Sequence, residues 1–286
     1  MTWSFAAKPS GGTTGVTAVV SAMPEELADL RRQLWGARRL RGNGDFLTGW
    51  LGSAPVALGV TGDGERNAYD GLCSLLCTLD VRRVLVIGVS GALSQALELG
   101  ALLVAERVLQ ESGEQVLDAE EALVEGASRL CVASRAVLIS ARQLADTPSE
   151  KRRLLELLAA RRGVLPGGAP ASGARGLSFA AVDLESAAYA RAAVEAGVPW
   201  LCLRAISDTA EEALPALLNR CRDGGGAVQR GRVARGLLKE PGAVPALLAL
   251  RQRVRRCAGV LERAAQALIV QWAEHMALEK PVKGTG

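Results

Sequence analysis

Histidine is nearly missing from this chain of 286 residues: there is one, His275, close to the C-terminal end. A Ser-His or Cys-His couple is therefore not expected, since each needs an imidazole beside its nucleophile, and acid or base catalysis must fall to carboxyl groups. Aromatic residues make up 3% of the chain. So few cannot readily build the stacking platforms that single-stranded nucleic acids require, and no nucleic-acid partner is expected. No run of eighteen apolar residues occurs, which argues against a membrane-spanning helix. Residues 1–15 lack the apolar core of a signal peptide, so a cytoplasmic protein with a disordered N-terminus is expected. The six cysteines, at 73, 77, 131, 202, 221 and 257, show no C-x-x-C spacing. They read as reduced, mostly buried thiols rather than as a zinc or redox site, and no metal is expected.

What the chain does have is apolar surface, 49% of its residues, in short runs separated by helical patterns. Strands are expected at Val16 to Val20, Val56 to Val60, Val84 to Ile87 (stopping at Gly88), Leu102 to Leu109, Ala136 to Ser140, Phe179 to Val182 and Trp200 to Ile206. Helices are expected from Pro24 to about Leu34, Glu65 to Leu79, Ser149 to Arg161 and Glu185 to Ala196. The alternation points to one α/β domain over residues 16–212, with a mixed, largely parallel sheet flanked by helices. A Gly/Pro/Ala-rich loop is expected from Gly163 to Gly176. Residues 213–286 read as a helical extension, with helices at Ala227 to Leu238 and Val244 to Trp272. The net charge of +4 is concentrated there, basic residues far outnumbering acidic ones between Arg220 and Arg263.

Two segments carry acidic residues at strand ends, Val182-Asp183-Leu184-Glu185-Ser186 and Arg204-Ala205-Ile206-Ser207-Asp208. Side chains at such ends face ligand in α/β sheets. Three further segments, Ala22-Met23-Pro24-Glu25-Glu26-Leu27, Thr61-Gly62-Asp63-Gly64-Glu65-Arg66-Asn67-Ala68 and Gly88-Val89-Ser90-Gly91-Ala92-Leu93, complete an ordered set. Together the five segments resemble the purine nucleoside phosphorylase and methylthioadenosine nucleosidase superfamily over about residues 16–212. Within it, Asp183-Leu184-Glu185-Ser186, Ala213-Leu214-Pro215 and the stretch Lys239 to Leu248 are most similar to hopanoid-associated phosphorylases, which act on adenosylhopane.

The resemblance implies cleavage of a purine nucleoside with release of adenine, by phosphorolysis of a lipid-linked adenosine, with hydrolysis of the methylthioadenosine or adenosylhomocysteine type as the alternative. A nucleoside-binding protein without turnover is a third reading. Asp208 is similar to the family's general acid at purine N7, although Ser-Asp at a strand end is also a common helix cap. Glu185 matches the residue that grips the ribose hydroxyls, and Leu184, Ser207, Ser90 and Gly91 fall in the substrate-binding segments. Glutamate in a first helical turn is also ordinary dipole compensation. The same ambiguity holds for Glu26, which lies where hydrolytic members keep a water-activating carboxylate, directly after Glu25. Gly62, Gly64 and Arg66 are expected to bind phosphate, as backbone N–H groups and a guanidinium. Val89 stands where hydrolytic relatives have serine, an apolar choice that is similar to the hopanoid group, and Ala92 replaces a glycine of the family. Arg204 reads either as phosphate support or as half of a buried ion pair. No cofactor is implied beyond inorganic phosphate as co-substrate, and copies of the chain are expected to associate. Arg251, Arg253, Arg255 and Arg256, interleaved with Leu248, Leu250, Val254 and Val260, suit either contact with a membrane surface or solvation while the leucines pack onto the core or a second subunit.

Overall fold

The computed structural model describes residues 15–113, 115–161, 179–221 and 240–278. The expected disordered N-terminus up to Gly15, the Gly163 to Gly176 loop and the Ala227 to Leu238 helix lie wholly or almost wholly outside the described residues.

Strands β1 (Val16–Ser21), β4 (Ala54–Val60), β5 (Val81–Ala92) and β10 (Trp200–Asp208) run parallel, β5 pairing with β1 on one edge and β10 on the other. Their near-continuous apolar runs fit a sheet covered on both faces. From β10 the sheet continues through β6 (Leu102–Gln110), β8 (Ser134–Ser140) and β9 (Phe179–Asp183), and β9 returns to the end of β5. These five strands thus close a ring, while β4, β3 (Asp45–Leu51) and β2 (Trp35–Leu40) extend the sheet outward from β1. A short β7 (Val116–Asp118) pairs with β6.

Helices α2 (Glu65–Thr78) and α5 (Ser186–Glu195) contribute Leu72, Leu75, Ala188 and Tyr189 to the apolar cluster on one side of the sheet. The other side is covered by α1 (Ala28–Gln33), α3 (Glu121–Cys131) and the long C-terminal helix α7 (Val244–Leu278), which follows the single-turn α6 (Leu217–Arg220). Helix α4 (Pro148–Ala160) packs Leu154 and Leu158 on Val137 and Ile139.

Three expectations need correction. Strand β5 does not stop at Gly88 but continues to Ala92, because that glycine keeps its place in the ladder opposite Arg204. Pro24 opens a 3₁₀ turn, Pro24–Leu27, before α1 rather than one continuous helix. Helix α7 is only half an appendage: Cys257, Leu261, Leu268 and Trp272 share a buried cluster with β1, β4, β5 and β10, whereas Leu248 is 58% exposed. Packing onto the core therefore accounts for most of the apolar residues of its second half. Its first half keeps Arg251, Arg255 and Arg256 in solvent, while Arg253 is tied to Glu212 at 2.6 Å.

Candidate active site

Five chain segments meet where β1, β4, β5, β9 and β10 end. Ser90 lies opposite Ile206, Gly91 opposite Asp208, and Val182 opposite Gly91, so the residues just beyond these positions converge. The carboxyl ends of parallel strands are where such sheets form a crevice.

Glu26 enters from the turn after β1. Its Oε2 accepts from the Met23 N–H at 3.1 Å, a local cap, and its Oε1 accepts from the Val89 N–H at 3.0 Å, across to β5. The residue is 2% exposed. Burial pushes its pKa up to about 7, with the charge of Glu185 adding and Arg204 and the two N–H groups opposing. Glu185 is the residue before α5, and its Oε1 accepts from the Gly64 N–H at 2.8 Å. Burial, reinforced by the nearby Asp183 carboxylate, raises its pKa to about 7 as well.

Arg204, on β10, reaches under both. Its Nε lies 2.8 Å from Asp183 Oδ2, and Nε and Nη2 donate to Ser186 Oγ at 3.1 and 2.8 Å. Asp183 also accepts from Ser140 Oγ at 2.7 Å and from the Ser186 N–H at 3.2 Å. The buried ion pair is thus the arrangement Arg204 adopts. Gly88 makes it fit: a Cβ there would stand 1.7 Å from Arg204 Nη1 and 3.3 Å from Glu26 Oε1.

Asp208 ends β10, 3% exposed. Ser207 donates its hydroxyl to Asp208 Oδ1 at 2.6 Å, and Lys151 Nζ lies 2.6 Å from Oδ2. Lys151 comes from α4, and nothing in the local sequence marks it except a lysine on that helix's apolar face.

The structure sorts the remaining candidates. Ser90 is 3% exposed and its Oγ has no hydrogen-bond partner, a buried hydroxyl of the kind a ligand would satisfy. At Gly91 the missing Cβ leaves room for Asp208 Oδ2, 2.8 Å from where that atom would be. The Ser207 hydroxyl likewise turns to Asp208 rather than outward. Leu184 is half-buried against the cluster of Leu93, Val137 and Val182. Gly62 and Gly64 take φ of +92° and +93°, which only glycine adopts without strain, but the Gly64 N–H is given to Glu185. Arg66 is not brought into the cluster: its side chain is 85% exposed and pairs with Asp70 at 3.6 Å, one helical turn on. Among the described residues, no group of three or more His, Cys, Asp or Glu is arranged to hold a metal ion.

The two raised carboxyls make stability depend on pH. Glu26 and Glu185 are protonated in folded and unfolded states alike below their ordinary 4.5, whereas in the folded state they must ionise in a dry site as pH passes about 7. Between those values the folded state binds more protons, so stability falls as pH rises. Urea denaturation from about pH 5 to about pH 8 should show that decline. It should be flatter in a Glu26→Gln, Glu185→Gln double variant, and equal slopes would place the proton uptake elsewhere.

The sequence model of the Phosphorylase superfamily matches residues 16–222. A 5′-methylthioadenosine/S-adenosylhomocysteine nucleosidase of Geobacillus kaustophilus is 28% identical over 199 residues, covering 68% of this chain and 85% of the relative. Among solved structures, the nucleosidase of that name from Neisseria meningitidis, in complex with methylthio-immucillin-A, superposes with a TM-score of 0.68 at 15% identity. The match covers 90% of this chain and 99% of that one. Futalosine hydrolase of Helicobacter pylori gives a TM-score of 0.67 at 17% identity, over 90% and 98% of the two chains. At these identities the structural likeness establishes the fold.

Proposed function

Because the chain belongs to the Phosphorylase superfamily, we propose that it is an enzyme that cleaves the N-glycosidic bond of a purine nucleoside and releases the base. One observation carries this reading: Glu26, Glu185 and Asp208, from three separate segments, are all buried at one end of the sheet, the first two in the field of Arg204.

Breaking the bond leaves positive charge on the sugar and negative charge on the base, so groups that meet those charges lower the barrier. Asp208 protonates the departing purine. Glu185, one oxygen anchored by Gly64, offers the other to the ribose hydroxyls. Glu26, with a pKa near the working pH, is suited to take a proton from water, and this favours hydrolysis. The curated relative's own name, a nucleosidase, supports the same direction.

A second reading, phosphorolysis of a lipid-linked adenosine such as adenosylhopane, is favoured by the unpartnered Ser90 hydroxyl and by Val89, which replaces the serine of hydrolytic relatives. Adenine release from adenosine derivatives with different 5′ groups, measured with and without phosphate, separates the two. Release that needs no phosphate establishes hydrolysis. Release that rises in proportion to phosphate, with sugar phosphate formed, establishes phosphorolysis. No release from any of them overturns both and leaves a binding protein.

No helix among the described residues is long and apolar enough to cross a membrane. A lipid-linked substrate would instead need a surface that approaches headgroups, and the exposed Leu248, Arg251, Arg255 and Arg256 of α7 supply one. Cosedimentation with anionic vesicles at low salt, lost in an Arg251, Arg255, Arg256→Gln variant, is the expected result for that substrate. No binding at low salt removes the membrane contact and leaves the nucleoside chemistry standing.

A further inference from the structure

Helix α4 contributes a charge that the three carboxyls do not explain. Lys151 is 1% exposed and lies on the same face as Leu154 and Leu158, where an apolar residue is expected. Lysine is almost never fully buried unless paired, and ordering its long side chain forfeits about 2 kcal/mol of rotamer entropy. All three of its donors are used: Nζ lies 2.6 Å from Asp208 Oδ2, 2.5 Å from the Thr209 carbonyl and 2.9 Å from the Glu212 carbonyl. Two carbonyls alone would suffice to tie α4 to the segment after β10. The third contact falls on the carboxyl oxygen that Ser207 leaves untouched, at the spot cleared by Gly91.

We propose that Lys151 is a positioning residue for proton delivery, fixing the Asp208 carboxyl between Ser207 and its own ammonium so that one orientation faces the leaving base. The proposal rests on the reading of Asp208 as the acid. In the step concerned, the C1′–N9 bond breaks and its electron pair passes to the purine. A proton leaves the Asp208 carboxyl for the purine N7, and the carboxylate so formed is met at once by the Lys151 ammonium, which needs no rearrangement to stabilise it. Each carboxyl oxygen has two lone pairs, so with one on each taken by Ser207 and Lys151 a remaining one can carry the proton that is donated to N7.

The test compares two substrates with the same 5′ group: an adenine nucleoside, whose base must be protonated, and the corresponding 4-nitrophenyl riboside, whose phenolate leaves without a proton. Lys151→Met should lower kcat for adenine release by about tenfold to a hundredfold with little change in KM. On the nitrophenyl riboside it should stay within about threefold of the parent, because the acid is not used. Lys151→Arg, which keeps the charge, should recover part of the loss, and Lys151→Met added to Asp208→Asn should cost nothing further. Equal losses on both substrates in a folded Lys151→Met protein would reduce Lys151 to a structural tie and overturn the proposal. Where the methionine variant does not fold, Lys151→Gln, which can still donate to the carbonyls, gives the same comparison and is decided the same way. If Asp208→Asn itself leaves adenine release unchanged, it is the acid reading that fails, and the two failures are thereby told apart.

Discussion

Asp208→Asn should slow base release by about a hundredfold to ten-thousandfold, the usual range for losing a general acid. The asparagine keeps the shape of the side chain and can still accept from Ser207, so nucleoside binding should change far less than turnover. The loss therefore belongs in kcat, as expected when an interaction matters chiefly in the transition state. One side effect follows from the geometry. The Lys151 ammonium, 2.6 Å away and 1% exposed, loses its counter-charge, so the variant should also melt at a lower temperature. Rates must then be measured well below that melting point. Undiminished turnover in a folded Asp208→Asn protein would remove this carboxyl from the chemistry.

Asp208 could be read from the sequence because a mostly apolar strand, interrupted by Arg204, ends on it, and strand ends in such sheets face ligand. The same logic found Glu185, after the short run of β9. Glu26 was legible only as an alternative between helix-dipole partner and site residue; in the structure one oxygen caps its own turn and the other crosses to Val89. Gly88 misled, since a glycine after an apolar run reads as a break. Here it is an unbroken ladder position whose missing side chain admits Arg204, and the sequence carries no sign of what fills that space. Lys151 was invisible for the same reason, because its partners lie on β10 and beyond, and a lysine in a charged run such as Glu150-Lys151-Arg152-Arg153 ordinarily faces water. The β2–β3 hairpin was missed because its outer strand is mostly exposed, so Trp35 to Arg39 shows no alternation of buried and polar positions. Helix α3 was missed too, although Val124 and Ala127 are buried one turn apart while Glu121, Glu125 and Arg129 are exposed.

The largest stability effect should come from Arg204→Met. Arg204 is the positive charge shared by the buried Asp183, Glu26 and Glu185, and it lowers the pKa of the last two against the burial that raises it. Removing one partner of a buried pair leaves an uncompensated charge and typically costs about 3 to 5 kcal/mol, more than the pair itself would be worth against an apolar replacement. The deficit should depend on pH. Without the guanidinium, Glu26 and Glu185 ionise even less readily in the folded state, so the folded protein retains their protons to higher pH and stability is lost as pH rises. The gap between variant and parent should therefore be smaller at about pH 5 than at about pH 8. Adding Asp183→Asn to Arg204→Met should restore part of the loss, because the two residues share one interaction and their effects cannot be additive. Gly88→Ala offers an independent route to the same state: its Cβ would stand 1.7 Å from Arg204 Nη1, so the guanidinium must leave Asp183 although its charge remains in the chain. Denaturation midpoints for the four variants decide the matter. A pH-independent deficit, or strict additivity of Arg204→Met and Asp183→Asn, would show that Arg204 stabilises the fold by packing rather than by neutralising the carboxyls around it.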